Sequence, residues 1–150
     1  MDIGGGNKPQ IKVKEWLLRA RKIDKEIALL QKTQQQAYDR IISTTAPLRD
    51  TPVSGGNSNR PFDHYIEFDQ LINQKIDELY SVKKEILTVI MHVDRRELRQ
   101  LLIDRYVNCC TWERIAASMN YSYIHVVKNL HPAALKAVKE YIEVYMPNVI

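Results

Sequence analysis

Two stripes of apolar residues, each advancing by steps of three and four, limit what this chain can fold into more than any other feature. The first runs Val13, Trp16, Ala20, Ile23, Ile27, Leu30, Ala37 and Ile41, with Gln34 at the one missing step. The second runs Phe68, Ile72, Ile76, Leu79, Ile86, Ile90 and Val93, with Lys83 as its polar interruption. Such steps return to one side of an α-helix, whereas a strand alternates by two, so both stretches read as amphipathic helices of coiled-coil character. The spacing predicts a first helix from about Ile11 to Thr44. Roughly thirty helical residues reach about 45 Å, longer than a helix buried within a small globule. A second helix should start near Pro61, whose fixed φ suits a first helical turn. A polar residue in such a seam costs stability and sets register or partner number.

Between the stripes, residues 45–60 carry Pro47, Pro52 and Ser-Gly-Gly-Asn-Ser-Asn, a breaker-rich stretch expected to form a flexible loop. From Lys8 to Ser43 there are nine basic and four acidic residues, and from Pro61 to Val93 three basic and six acidic. Matching seams, opposite net charge and a single connection predict an antiparallel hairpin over residues 11–93. Trp16, Leu17, Leu71, Val82 and Val89 lie at or beside the seams and add apolar surface that two helices cannot cover. A homodimer through the hairpin is therefore expected.

With 150 residues and ordinary apolar content, the chain has room for one compact domain or two small ones. Its formal charge of +4 is a mild bias towards polyanions. Cys109 and Cys110 are adjacent, which rarely suits a disulfide, and there is no second pair to complete a zinc site. They read as small residues between helices in a reducing compartment. No apolar run approaches the ~18–20 residues of a membrane span, and residues 1–10 read as a flexible leader without a signal-peptide core, so a cytoplasmic location is expected. His64, His92, His125 and His131 are scattered over different elements. Neither a Gly-rich phosphate loop nor a Gly-x-Ser-x-Gly elbow is present. The expectation is a chain with no catalytic residues, no cofactor and no metal, acting as a binding protein and not an enzyme.

The remaining segment, 94–146, carries helix punctuation. Asp94 followed by Glu97 has the form of a capping box, so a new helix should begin there. Leu98, Leu101, Leu102, Arg105 and Tyr106 carry it to the cysteines. Thr111 precedes the apolar run Trp112, Ile115, Ala116 and Met119, and suits an N-cap. Asn120 tolerates the left-handed conformation after a helix end, and Ser122 is a strong N-cap for the next helix. A helix, a three-residue break and a second capped helix form a helix-turn-helix pattern. His131-Pro132 disfavours a straight continuation of that second helix, because proline removes a donor and restricts its predecessor. Ala133 to Tyr145 then reads as a closing helix using Leu135, Val138 and Ile142. Trp112 and Tyr106 read as core residues.

The residues Leu-Ile-Asp-Arg-Tyr (102–106), Thr-Trp-Glu-Arg-Ile-Ala (111–116), Tyr-Ser (121–122), Val126 and Ala-Leu (134–135) resemble region four of bacterial sigma factors. The whole chain is similar to phage and prophage (ArpU-like) regulators of late, packaging and lysis genes, which join such a domain to an N-terminal helical hairpin. Asn120 stands where many relatives have glycine, and the run from Ser122 to Ala134-Leu135 is one residue longer than expected for the family. The resemblance implies an all-α protein, a long hairpin followed by a small sigma-region-four-like bundle, that binds double-stranded DNA and regulates transcription. It implies a reading helix over about 123–131 in the major groove, with Val126 and Leu130 inward; Val127 is the alternative inward residue. Tyr123, Ile124, His125, Lys128 and Asn129 would then meet the DNA. Thr111 and Ser122 would cap the two helices at the groove, and Arg114, Lys136 and Lys139 would hold phosphates. RNA polymerase is a further implied partner. Two other readings share the pattern: a small-terminase-type packaging protein, and an adaptor that docks on polymerase or another protein without DNA.

Overall fold

The computed structural model describes residues 8–45 and 60–150. The expected loop at 45–60 lies almost wholly outside them, as does most of the leader. Most of the described residues are helical, and there is no strand among them. The order is α1 (Lys8–Thr45), α2 (Arg60–Met91), α3 (Arg96–Leu102), α4 (Trp112–Met119), α5 (Tyr123–His125) and α6 (His131–Tyr145). α3 runs into a π-helical turn, Ile103–Val107, and a second such turn, Val126–Leu130, joins α5 to α6. α1 and α2 pack against each other as the expected hairpin, although α1 starts at Lys8 and not at Ile11.

Contacts divide the chain into two compact units, one made of residues up to Ile23 with Ser81–Ile150, the other Asp24–Tyr80. The expected boundary after Val93 marks where the chain turns, whereas the packing division crosses both long helices.

In the first unit, Val13, Trp16, Leu17 and Ala20 of α1 and Ile86, Val89, Ile90 and Val93 of α2 share one core with Leu98, Leu101, Leu102, Tyr106, Ile115, Val126, Leu130, Val138 and Ile142. Leu17 and Val89, expected as uncovered surface, are thus buried within their own chain. Burial of each large apolar side chain contributes roughly 1.5–3 kcal/mol, so this shared core carries most of the unit's stability.

In the second unit Ile27, Ile72, Ile76 and Leu79 are buried, but the stripe thins beyond them. Leu30, Ala37 and Ile41 are half-buried, Phe68 is exposed, and Leu71 is 64% exposed. Two helices alone cover one face each, and among the described residues of this unit no third helix joins them. Gln34, the polar residue in the seam, is hydrogen-bonded across the hairpin: its Nε2 donates to Asp69 Oδ1 at 3.1 Å and to Asn73 Oδ1 at 2.7 Å.

Two expectations concern helix ends, and the first is corrected. A new helix does follow α2, but the Asp94–Glu97 capping box does not form: Arg95 is the N-cap, without a side-chain cap bond. The Glu97 carboxylate is engaged by Arg95 and by the Tyr121 hydroxyl, so it is not available to the N-cap amide. Arg99 instead closes the preceding corner, donating to the Val93 and Asp94 carbonyls at 2.7 and 3.0 Å. The second concerns His131-Pro132, where the chain stays helical from α5 into α6 through the π-helical turn: Leu130 and His131 keep right-handed helical dihedrals. The His131 amide bonds to the Val126 carbonyl, five residues back. That slip from four to five residues widens the turn just where the proline ring would otherwise meet the carbonyl four positions earlier.

A candidate helix-turn-helix face

The pair α4 and α5–α6 is built from local chemistry. Thr111 has extended backbone, and its Oγ1 accepts from the Arg114 amide at 3.2 Å. Ile115 and Ala116 turn into the core. Asn120 then takes the left-handed conformation, φ 59° and ψ 37°. Its amide donates to the Ala117 carbonyl at 3.3 Å and that of Tyr121 to Ala116 at 3.1 Å, the paired closure of a Schellman end. Ser122 restarts the helix, its Oγ accepting from the His125 amide at 3.1 Å.

Register on the second helix is settled: Val126 is fully buried and Leu130 nearly so, while Val127 is only half-buried. Tyr123, Ile124, Lys128 and Asn129 are exposed and His125 is half-buried, so these five share the outward part of the helix. Asn129 Nδ2 donates to His125 Nδ1 at 2.9 Å, and the His125 ring lies 4.8 Å from that of Tyr121. Arg114 and Lys136 are exposed. Lys139 is half-buried and pairs with Glu143 at 3.5 Å, so an acid sits beside one expected phosphate contact.

Beneath this face lies a polar cluster that sequence reasoning missed. Tyr106 and His131 share a buried hydrogen bond, 2.7 Å from hydroxyl to Nε2. The edge of the Trp112 ring meets His131 at 4.6 Å, and the Arg105 guanidinium covers Trp112 at 4.3 Å while donating to the Cys110 carbonyl at 3.1 Å. Burial, with Lys14 and Arg105 nearby, pushes the His131 pKa down to about 4, so the ring is neutral. Burial also pushes the Tyr106 hydroxyl up to about 12. Tyr106 and His131 are separated by 25 residues, and no local spacing rule connects them. Tyr106 is a core residue, as expected, and Trp112 packs half-buried against that core.

Cys109 and Cys110 lie between α3 and α4, half-buried and not joined to each other. Cys109 takes a left-handed conformation, φ 59°, unusual for a residue with a Cβ. No group of three His, Cys, Asp or Glu among the described residues is placed to hold a metal ion. No described helix is long and apolar enough to cross a membrane. The chain matches no family model, no curated protein and no solved structure.

Proposed function

We propose that this protein binds double-stranded DNA at specific sites and regulates transcription, as a phage or prophage regulator acting in the bacterial cytoplasm rather than as an enzyme. One observation carries the reading. A helix anchored by buried Val126 and Leu130, and capped by Ser122 after a left-handed turn, turns Tyr123, Ile124, Lys128 and Asn129 outward. A helix fits the major groove, and its first turns approach base edges while its amide end favours phosphate. In this reading Asn129 reads adenine, Ile124 touches a thymine methyl, and Lys128, Arg114 and Lys136 fix the backbone. Lys139 takes part after parting from Glu143. A single module buries only ~600–1,000 Å² on DNA, so specificity needs a dimer on paired half-sites or help from RNA polymerase.

The test is capture of fragments from a shotgun library of the source genome at low and high salt, followed by sequencing. One upstream region retained at higher salt is the expected result. Fragments clustered at a packaging site would move the reading to a small-terminase-type protein. A second reading, docking on polymerase or another protein, is favoured by the exposure of Tyr121, Tyr123 and Ile124 at the start of the helix. It replaces the first if no fragment is enriched at either salt.

A further inference from the structure

The outward face is wired to the start of α3 by a chain of side chains that crosses the turn. Arg95 Nη2 donates to Glu97 Oε2 at 3.2 Å. The Tyr121 hydroxyl donates to the other oxygen, Glu97 Oε1. The Tyr121 ring packs on the His125 ring, and His125 Nδ1 meets Asn129 Nδ2. An amide nitrogen only donates, so His125 Nδ1 must accept, which makes the neutral ring the Nε2–H tautomer. Asn129 thereby commits one N–H to His125 and keeps its second N–H and its Oδ1. Adenine offers N7 as acceptor and N6–H as donor in the major groove, the complement of that remaining pair.

We propose that Glu97 and Tyr121 are specificity-determining positioning residues, which hold His125 so that the Asn129 carboxamide is preset for adenine. The proposal rests on the DNA-binding reading and adds two residues that need touch no base. An asparagine without such a partner rotates freely about its last torsion and loses entropy when a base fixes it. Held by His125, it meets the base in one orientation and discriminates better against pyrimidines and guanine. Glu97 lies 24 residues before Tyr121, so the fold and not the motif joins them.

The experiment is selection from a randomised duplex library with the full chain, comparing wild type, Tyr121→Phe and Glu97→Ala. Wild type should select adenine at one position of each half-site. Tyr121→Phe keeps the ring but loses the hydroxyl, and should lower that single preference by about tenfold, within what one bidentate base contact supplies. Preferences at other positions should hold. A uniform loss at every position would mean a merely structural role and would overturn the proposal. An unchanged adenine preference in both variants would overturn it while leaving DNA binding intact. If wild type selects no sequence, the DNA reading falls and the proposal with it. Imidazole nitrogen shifts of the free protein give an arm independent of DNA. His125 Nδ1 should report as an unprotonated acceptor and should shift in Asn129→Ala; an Nδ1–H tautomer would sink the proposal.

Discussion

Enclosed by Tyr106, Trp112 and Arg105, the His131 imidazole stays neutral well below the pH at which an exposed histidine is half-charged. A second proton on the ring would place a charge in a buried site with Lys14 and Arg105 close by. The consequence for stability has a definite sign. The folded pKa lies below the ordinary value, so the unfolded chain takes up the proton first as pH falls. Stability from this group is fully present above about pH 6.5 and is lost between there and about pH 4. The loss is at most roughly 3 kcal/mol. Urea unfolding of wild type and His131→Gln at about pH 7.5 and pH 4.5 checks this. The variant has no proton to take up and should lose less across the interval; equal losses would remove His131 from the pH response. At the same scale Asn120 and Cys109 both sit at φ 59°. Asn120→Gly should be neutral or raise stability by up to about 1 kcal/mol, because glycine carries no Cβ penalty there. Asn120→Val should cost about 1–2 kcal/mol, read as a shift in denaturant midpoint. The left-handed position of Asn120 was legible because asparagine signals it; Cys109 carries no such signal.

Among the elements, the two helices of the helix-turn-helix pair formed where short-range rules put them, while the capping box at Asp94 and Glu97 did not. α4 and the following helix start at Thr111 and Ser122 because a hydroxyl oxygen three residues back satisfies a first-turn amide whatever the rest of the molecule does. Where two local rules conflicted, tertiary packing chose. Proline at 132 argued against a straight continuation, and the chain stays helical through a π-helical turn that keeps Val126, Leu130, Ala134 and Val138 all buried. The seam residue Gln34 offers a test at this level. Gln34→Leu restores the apolar stripe and removes the bonds to Asp69 and Asn73. It should raise the melting temperature by the equivalent of about 1 kcal/mol while broadening the distribution of oligomers, as expected when a polar seam residue that fixes register is lost. A higher melting temperature with a single unchanged native mass would show that Gln34 does not set association.

For the whole molecule, the two units differ in how well each covers its own apolar surface. The first encloses a core drawn from α1, α2, α3, α4, α6 and both π-helical turns; the second leaves Leu29, Tyr38, Ile42, Phe62, Ile66 and Leu71 substantially exposed. Pairing of chains through the hairpin, already expected from the seams, should therefore depend on residues 24–80. Sedimentation should give a mass that rises with concentration, and Leu71→Glu or Ile66→Glu should lower the association; a concentration-independent monomer would end the dimer proposal. In the proposed DNA complex, Lys128→Ala should reduce the slope of log affinity against log salt by about 0.9, one phosphate's worth, and an unchanged slope would take Lys128 out of the interface. The residues alone determined the helical class, the hairpin, the caps at Thr111 and Ser122, and the turn between them. All of these follow from periodicity and from hydrogen bonds within four or five residues, which act identically in any tertiary setting. Only the tertiary structure decided that the base of the hairpin shares a core with the C-terminal helices, that Val126 and not Val127 turns inward, and that Tyr106 meets His131 and Glu97 meets Tyr121. Those outcomes depend on which apolar faces find one another across long stretches of chain, where the free energy comes from shared burial and no spacing along the sequence encodes the partner.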